Sequence, residues 1–293
     1  GSFKGLEDSQ ERRSSAQQYF HTFCGVLKVL MLFVAGVVVV AILLGKNPMT
    51  LFAGLGATSA VLMLVFKDTI TGLAAGVRLT SNDMLHKGDW ITVKSVDANG
   101  IVEDMSLTTV KVRNFDNTIV TISPITLVNG SFQNWIGMQK SGGRRVKRVV
   151  YFDFRSVRLV DETLKRNLLA KHFATEDSFK LKESLQKAID KDIQEGKDIE
   201  DLKNPAALAP TNLQLYRKFM EKYLRQRPEV NTDLTLMVRH MEATQCGLPI
   251  EFYFFIKDKV WVNYEHILAD IMEHAYALAN EFGLKIYEQY PEQ

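Results

Sequence analysis

The residues able to do chemistry are scattered along this 293-residue sequence and form no catalytic motif. Its six histidines (His21, His86, His172, His240, His266 and His274) show no metal-ligand spacing. His266 and His274 fall on one expected helix as surface or packing residues. Cys24 lies in an apolar stretch and Cys246 beside an expected turn, so they suggest neither a disulfide framework nor a metal site. Gly54-x-Gly56-x-x-Ser59 looks like a degenerate dinucleotide fingerprint. That motif works only on a strand-to-helix turn followed by an acidic residue about 20 positions later, whereas these glycines sit inside an apolar helical pattern. Phe252, Tyr253, Phe254 and Phe255 form a strand run that suits a core better than a ligand cage. With no nucleophile elbow, phosphate loop or carboxylate pair, the sequence suggests no catalytic residue, cofactor or metal, and no enzyme.

What remains is the chemistry of placing charge in apolar surroundings. Lys67 and Asp68 interrupt a long apolar run, where ionised groups are costly unless they meet water or a partner. Arg144, Arg145, Lys147 and Arg148 open an expected strand. They provide either a positive surface that gathers ions or a charged edge that blocks unwanted pairing. Overall, 36 basic residues against 34 acidic ones give a net charge of +2, which points to neither nucleic acid nor a polyanionic substrate.

The elements that must carry these residues begin with two apolar segments. Residues 24–44 are apolar apart from Lys28, whose stem can snorkel to an interface, and are long enough to cross a hydrocarbon core of about 30 Å. A secretory signal would have a shorter apolar core and a small-residue cleavage site. Gly45-Lys46-Asn47-Pro48 forms a tight polar turn, and a second apolar segment, 49–77, follows at once. Its first half is rich in Ala53, Gly54, Gly56, Ala57, Ser59 and Ala60, small residues at helical spacing that let helix backbones approach closely in lipid. Such approach needs partner helices, from upstream or from other copies of the chain. The pattern predicts a spanning helix, a polar break near Lys67-Asp68, and an amphipathic second half along the membrane surface. Arg12, Arg13, Arg78, His86 and Lys87 flank the pair and only Lys46 lies between the spans, which predicts cytoplasmic ends by the positive-inside rule.

Beyond Asn82 the period becomes alternating. Four or five short strands within 88–122, with Asn99-Gly100 as a hairpin turn and Phe115-Asp116-Asn117 as another, predict a small antiparallel β-barrel ended by Pro124. Ser141-Gly142-Gly143 suggests a hinge. The strand and helix patterns after it, with Asn212 as a helix cap, Gly247-Leu248-Pro249 as a turn and Gly283 as a C-cap, predict a ferredoxin-like α+β domain. Residues 188–211 look like an insertion on it. The expected domains are a polar N-terminal segment at 1–21, transmembrane helices at 22–81 with a kinked pore helix at 49–79, a β domain at 82–140, and a cytoplasmic α+β domain at 141–293.

Several of these stretches, in order, resemble the bacterial small-conductance mechanosensitive channel (MscS) family. They are Gly54-Leu55-Gly56-Ala57, Lys67-Asp68, Gly72-Leu73-Ala74-Ala75-Gly76-Val77, Lys87-Gly88-Asp89-Trp90-Ile91, Gly100-Ile101-Val102-Glu103 and Thr108-Thr109-Val110-Lys111-Val112-Arg113. Asn114-Phe115-Asp116-Asn117-Thr118 and Gly142-Gly143-Arg144-Arg145 are similar to its miniconductance, YbdG-type branch, whose members carry extra spans upstream. The resemblance covers roughly residues 49–293. It implies a homoheptamer in the bacterial inner membrane, with cytoplasmic C-terminal domains forming a cage, that opens under membrane tension and releases ions and small solutes on hypo-osmotic shock. Membrane lipids and further copies of the chain are the implied partners. By position, the pore constriction falls on Ala60 and Leu64, the kink on Lys67-Asp68, and a second flexible point on Gly76. Ala60 stands where the family's upper constriction has leucine, leaving Leu64, or Met63 or Phe66 beside it, as the narrowest ring. Asp68 stands where a kink glycine is common, and Pro124-Ile125 where Pro-Asn is usual. Ala53, Gly54, Gly56 and Ala57 are the expected helix-packing residues. The alternative is a membrane-anchored scaffold or signalling protein, which would need neither the small-residue face nor the polar break.

Overall fold

The computed structural model describes residues 4–180, 183–196 and 209–289, and the chain divides into two compact units after Gln133. The division falls ahead of the expected boundary at Lys140, and a short helix, α4 (Ile136–Lys140), occupies the interval. Residues 1–3 of the expected polar segment, and 197–208 of the expected insertion with Asn204-Pro205, lie outside the described residues.

The first unit begins with α1 (Lys4–Leu43) and α2 (Pro48–Ser81). The polar N-terminal stretch from Lys4 onward belongs to the same helix as the apolar span that follows it. The turn between the helices forms as expected. Gly45 adopts φ +61°, the Asn47 side chain caps the next helix by accepting from the Met49 N–H at 3.0 Å, and Pro48 occupies the first helical position. Where a break was expected, α2 runs on as one helix through Lys67 and Asp68. Neither residue type prevents helix formation, and no proline lies in the helix beyond Pro48.

The end of α2 feeds into a sheet of strands β1 (Trp90–Val93), β2 (Ala98–Met105), β3 (Val110–Asn114) and β4 (Ile119–Ile122), with the two-residue β5 (Gln133–Asn134) at the other edge. The order is β4-β3-β2-β1-β5 and the β1–β4 pairings are antiparallel. The expected barrel is not closed. Its edge strands are short, and Pro124 turns the chain into α3 (Pro124–Asn129) directly after β4. Leu79, from the last turns of α2, is buried with Leu85, Ile91, Val102, Val112 and Leu127 in the core of this unit.

Asn99-Gly100 does not make the hairpin turn. Both residues lie inside β2, where Thr92 faces Asn99 and Ile91 faces Gly100, and the reversal falls on Lys94–Val96 and Asp97, at φ +53°. Gly100 is required for another reason. A Cβ there would collide with the Arg113 carbonyl on β3. Asn99 accepts from Trp90 Nε1 at 2.9 Å and Thr92 Oγ1 at 3.0 Å, which braces the β1–β2 pair. The second expected turn forms at Asn117, at φ +70°.

The second unit holds a three-stranded antiparallel sheet in the order β6-β8-β7, from β6 (Arg144–Phe152), β7 (Met237–His240) and β8 (Leu248–Ile256). Its helices are α5 (Glu162–Ala170), α6 (Glu183–Gln194), α7 (Asn212–Gln226) and α8 (Trp261–Glu281). The expected fourth strand is reduced to a bridge between Phe152 and Ile286, with the Tyr287 N–H donating to the Tyr151 carbonyl at 2.9 Å. Phe252 and Phe254 join Phe152, Tyr216 and Phe282 in the core, while Tyr253 and Phe255 form an edge-to-face pair on the other side of the strand. Burial raises the Tyr216 hydroxyl well above its ordinary pKa. Gly283 adopts φ +67° just beyond α8, as a C-terminal glycine should. The cap of α7, however, is Thr211, which accepts from the Gln214 N–H. Asn212 is fully buried and ties three segments together, accepting from the Arg158 N–H and donating to the Ser156 and Phe282 carbonyls.

Candidate functional site

Every residue expected at the site lies on α2. In a continuous α-helix, positions i, i+4, i+7 and i+11 recur on one face, so Ala53, Ala57, Ala60 and Leu64 form one stripe, which Lys67 and Thr71 extend. Gly56 borders the stripe. Met63 is turned about 100° from Leu64, and Phe66 about 200°, onto the far side of the helix. The four expected constriction residues therefore do not share a face. Ala60 and Leu64 do, Met63 flanks them, and Phe66 faces elsewhere.

This part of α2 is apolar all round and bare. Leu64 is 75% exposed and Phe66 51%, and Val61, Leu62, Met63 and Val65 are similarly open. A helix apolar on every side needs an apolar surrounding, such as lipid or other helices. The helix Pro48–Ser81 and the segment Phe23–Leu43 of α1 are both long and apolar enough to cross a membrane. At 34 residues α2 is about 51 Å long, well over the ~30 Å hydrocarbon thickness, whereas the stretch from Pro48 to Phe66 is about 28 Å. Lys67 and Asp68 thus follow an apolar stretch whose length is close to the hydrocarbon thickness. Leu32, Phe33, Gly36, Val37 and Val40 of α1 line an apolar groove with Leu51 and Leu55 of α2.

The small residues open no space that this chain fills. A Cβ at Gly54, Gly56 or Gly72 would meet nothing within 4 Å. Gly76 is different. A Cβ there would come within 2.5 Å of the Leu107 carbonyl oxygen, so this glycine is the seat on which the β2–β3 turn rests. Ala75, Gly76 and Leu79 are the buried residues of α2, and the expected amphipathic half lays this face on the chain's own β domain.

Sequence reasoning missed the threonines. The hydroxyls of Thr58, Thr71 and Thr80 donate to the carbonyls of Gly54, Lys67 and Gly76 at 2.9, 2.8 and 3.0 Å. Back-bonding of this kind slightly weakens and bends helices, and one instance involves the Lys67 carbonyl. The signal was present as Thr four residues after Gly54, Lys67 and Gly76.

Elsewhere the basic strand is largely engaged. Arg144 stacks on the Tyr264 ring at 4.3 Å, and Lys147 stands 3.8 Å from Glu251, a fully buried carboxylate that also pairs with Arg239. Among the described residues no cluster of His, Cys, Asp or Glu could hold a metal ion. Cys24 and Cys246 are both exposed free thiols. His274 stacks on Tyr223 with ring centroids 5.7 Å apart, while His266 lies on the surface.

Comparison with known proteins finds matches to mechanosensitive channels. Residues 68–137 match the family described as the β-domain of mechanosensitive ion channels. The small-conductance mechanosensitive channel MscMJ of Methanocaldococcus jannaschii is 31% identical over 109 residues, covering 37% of this chain and 30% of the relative. The large-conductance mechanosensitive channel MscMJLR of the same organism is 29% identical over 149 residues, covering 50% of this chain and 40% of the relative. The matched stretches thus span well under half of either relative. Among solved structures, the closed-state crystal structure of Helicobacter pylori MscS aligns with TM-score 0.52 at 14% identity, over 90% of this chain and 80% of that one. The cryo-EM structure of Arabidopsis thaliana MSL1 aligns with TM-score 0.56 at 11% identity, over 95% and 80%. Those two likenesses speak to fold alone. Residues 68–137 match a mechanosensitive-channel β-domain, and part of the chain is similar in sequence to archaeal mechanosensitive channels.

Proposed function

We propose that several copies of this chain assemble around one axis as a mechanosensitive channel, with the first half of α2 lining the pore. The observation that carries this reading is the bare, all-apolar stretch from Pro48 to Phe66 with its stripe of small residues, set directly before a mechanosensitive-channel β-domain. A single chain leaves that stripe unfilled. Copies approaching closely through the small residues Ala53, Gly54, Gly56 and Ala57, with Gly54 and Gly56 on the two flanks of the stripe, would leave Ala60 and Leu64 facing a shared axis.

In the closed state, a ring of Leu64 side chains is too narrow and too dry to hydrate an ion. Tension favours the state that occupies more membrane area, so tilting of α2 slides the small faces past one another and widens the ring. Bending near Lys67-Asp68, where Thr71 competes for the Lys67 carbonyl, then lets the pore segment move while the Leu79 end stays in the β-domain core. Gly76 would act as the seat of the second half and as its pivot. The groove between α1 and α2 suits an acyl chain.

The resemblance adds the finer reading. It gives a homoheptamer of the miniconductance branch in a bacterial inner membrane, with ferredoxin-like C-terminal domains in the cytoplasm, releasing ions and small solutes on hypo-osmotic shock. The chain acts as a conduit and catalyses no reaction. The test is single-channel recording from liposomes holding the purified chain. Suction-activated steps support the reading, and a silent membrane at lytic suction refutes it.

A further inference from the structure

The second unit contains a pocket that the channel reading does not use. It lies between the loop after α5 and one stripe of α7, with a volume of about 150 Å³. Its floor is aromatic. Phe173 and Phe219 meet edge to face with centroids 5.2 Å apart, and both rest on the buried Phe282. Its rim is basic. Lys218 and Lys222 stand one turn apart on α7, and His172, at φ +59° where the chain leaves α5, lines the pocket with them.

Among the described residues, the carboxylates of the flanking segments have other partners. Glu176 pairs with Lys165 at 3.9 Å, Asp177 with Lys180 at 2.6 Å, and Glu281 with Lys171. Glu221, which lies between the two lysines in sequence, accepts from the Val238 N–H at 3.0 Å. Among the described residues neither Lys218 nor Lys222 has an ion-pair partner. Two like charges one helical turn apart repel, and an anion between them would relieve that repulsion. The cavity of about 150 Å³ beside them, walled in part by Phe173, Leu215 and Phe219, has room for roughly one benzene-sized ring.

We propose that this pocket is a binding site for a small organic anion, an aromatic ring on the phenylalanine floor carrying a phosphate or carboxylate between Lys218 and Lys222. Thr175 and Ser178, whose hydroxyls bond each other at 3.2 Å, line the same pocket. The site lies wholly within the second unit, so its occupancy can be tested apart from conduction.

The experiment is calorimetric titration of the intact detergent-solubilised chain with phenyl phosphate, benzoate, phenol and inorganic phosphate. Saturable one-to-one binding of phenyl phosphate or benzoate is expected, and whichever binds tighter identifies the head group. Phenol and inorganic phosphate should each bind at least about tenfold more weakly, because each lacks one half of the recognition. The double variant Lys218→Gln/Lys222→Gln should lose about tenfold in affinity with an unchanged melting temperature, since neither side chain has an ion-pair partner among the described residues. The charge-reversing Lys222→Glu provides a second variant. No saturable binding of either aromatic anion, unchanged affinity in the lysine variants, or inorganic phosphate matching phenyl phosphate would each overturn the proposal.

Discussion

Gly76 on α2 and Leu107 in the β2–β3 turn lie so close that a methyl group on the glycine would come within 2.5 Å of the leucine carbonyl oxygen. The contact joins the apolar helix to the β domain within the first unit, and Leu79, one turn further on, is buried in that domain's core. In the proposed channel, motion of the first half of α2 is taken up between Lys67, whose carbonyl Thr71 bonds, and the seat at Gly76.

Gly76→Ala should lower the stability of the chain by on the order of 1–3 kcal/mol, because the group it strikes is backbone and cannot swing aside. Gly72→Ala meets nothing within 4 Å and should be neutral or stabilising by up to about 1 kcal/mol through better helix propensity. Thermal unfolding of the two variants in detergent checks the contrast. Equal melting temperatures would mean that the seat at Gly76 is not used.

Gly56→Leu separates packing within the chain from packing between copies. Nothing in the chain lies within 4 Å of a Cβ at Gly56, so the monomer fold should survive. Copies that approach through the small-residue stripe should be pushed apart. Size-exclusion chromatography with light scattering should show the wild type as a ring of about seven copies, by the resemblance, and the variant as smaller species. An unchanged oligomer would place the subunit contact elsewhere.

The apolar spans, the turn at Gly45–Pro48 and the strand-rich stretch after Asn82 are legible in the sequence because composition and period alone dictate them. Contacts between distant segments are not. Asn99-Gly100 suggests a turn by local chemistry, yet the close approach of Arg113 is what demands its glycine. Asn212 suggests a helix cap, yet Thr211 does the capping and Asn212 bonds to the Ser156 and Phe282 carbonyls. Lys67-Asp68 suggests a break because charges are costly in lipid, but that cost acts on the surroundings and leaves backbone hydrogen bonding intact, so α2 continues. At the candidate site the residue types were legible and their shared face was not. Counting turns along the unbroken helix puts Phe66 opposite Leu64.

Leu64→Ser should lower the tension needed for opening, because a hydroxyl ring wets more easily than a leucine ring. Patch recordings under graded suction should show activation at lower tension than wild type. An unchanged threshold would move the gate away from Leu64.

The second unit should lose stability on acidification through Asp161. The Leu164 N–H, and then the Arg158 guanidinium, hold this carboxyl below the ordinary aspartate range. A folded-state pKa below the unfolded one contributes stability at neutral pH that is lost as pH falls through the folded pKa. Asp161→Ala should therefore melt below wild type at pH 7, and the gap should narrow as the pH drops below about 4. A gap independent of pH would assign the effect to lost packing.

Thiol blockade of the α2 faces tests the central account most directly. In a Cys24→Ser/Cys246→Ser background, Ala60→Cys, Leu64→Cys and Phe66→Cys are recorded under suction while a water-soluble, bulky thiol reagent is applied. The account requires current through Ala60→Cys and Leu64→Cys to be blocked and current through Phe66→Cys to be spared. Block at Phe66→Cys with Leu64→Cys unaffected would contradict it, because the water path would then run along the opposite side of the helix.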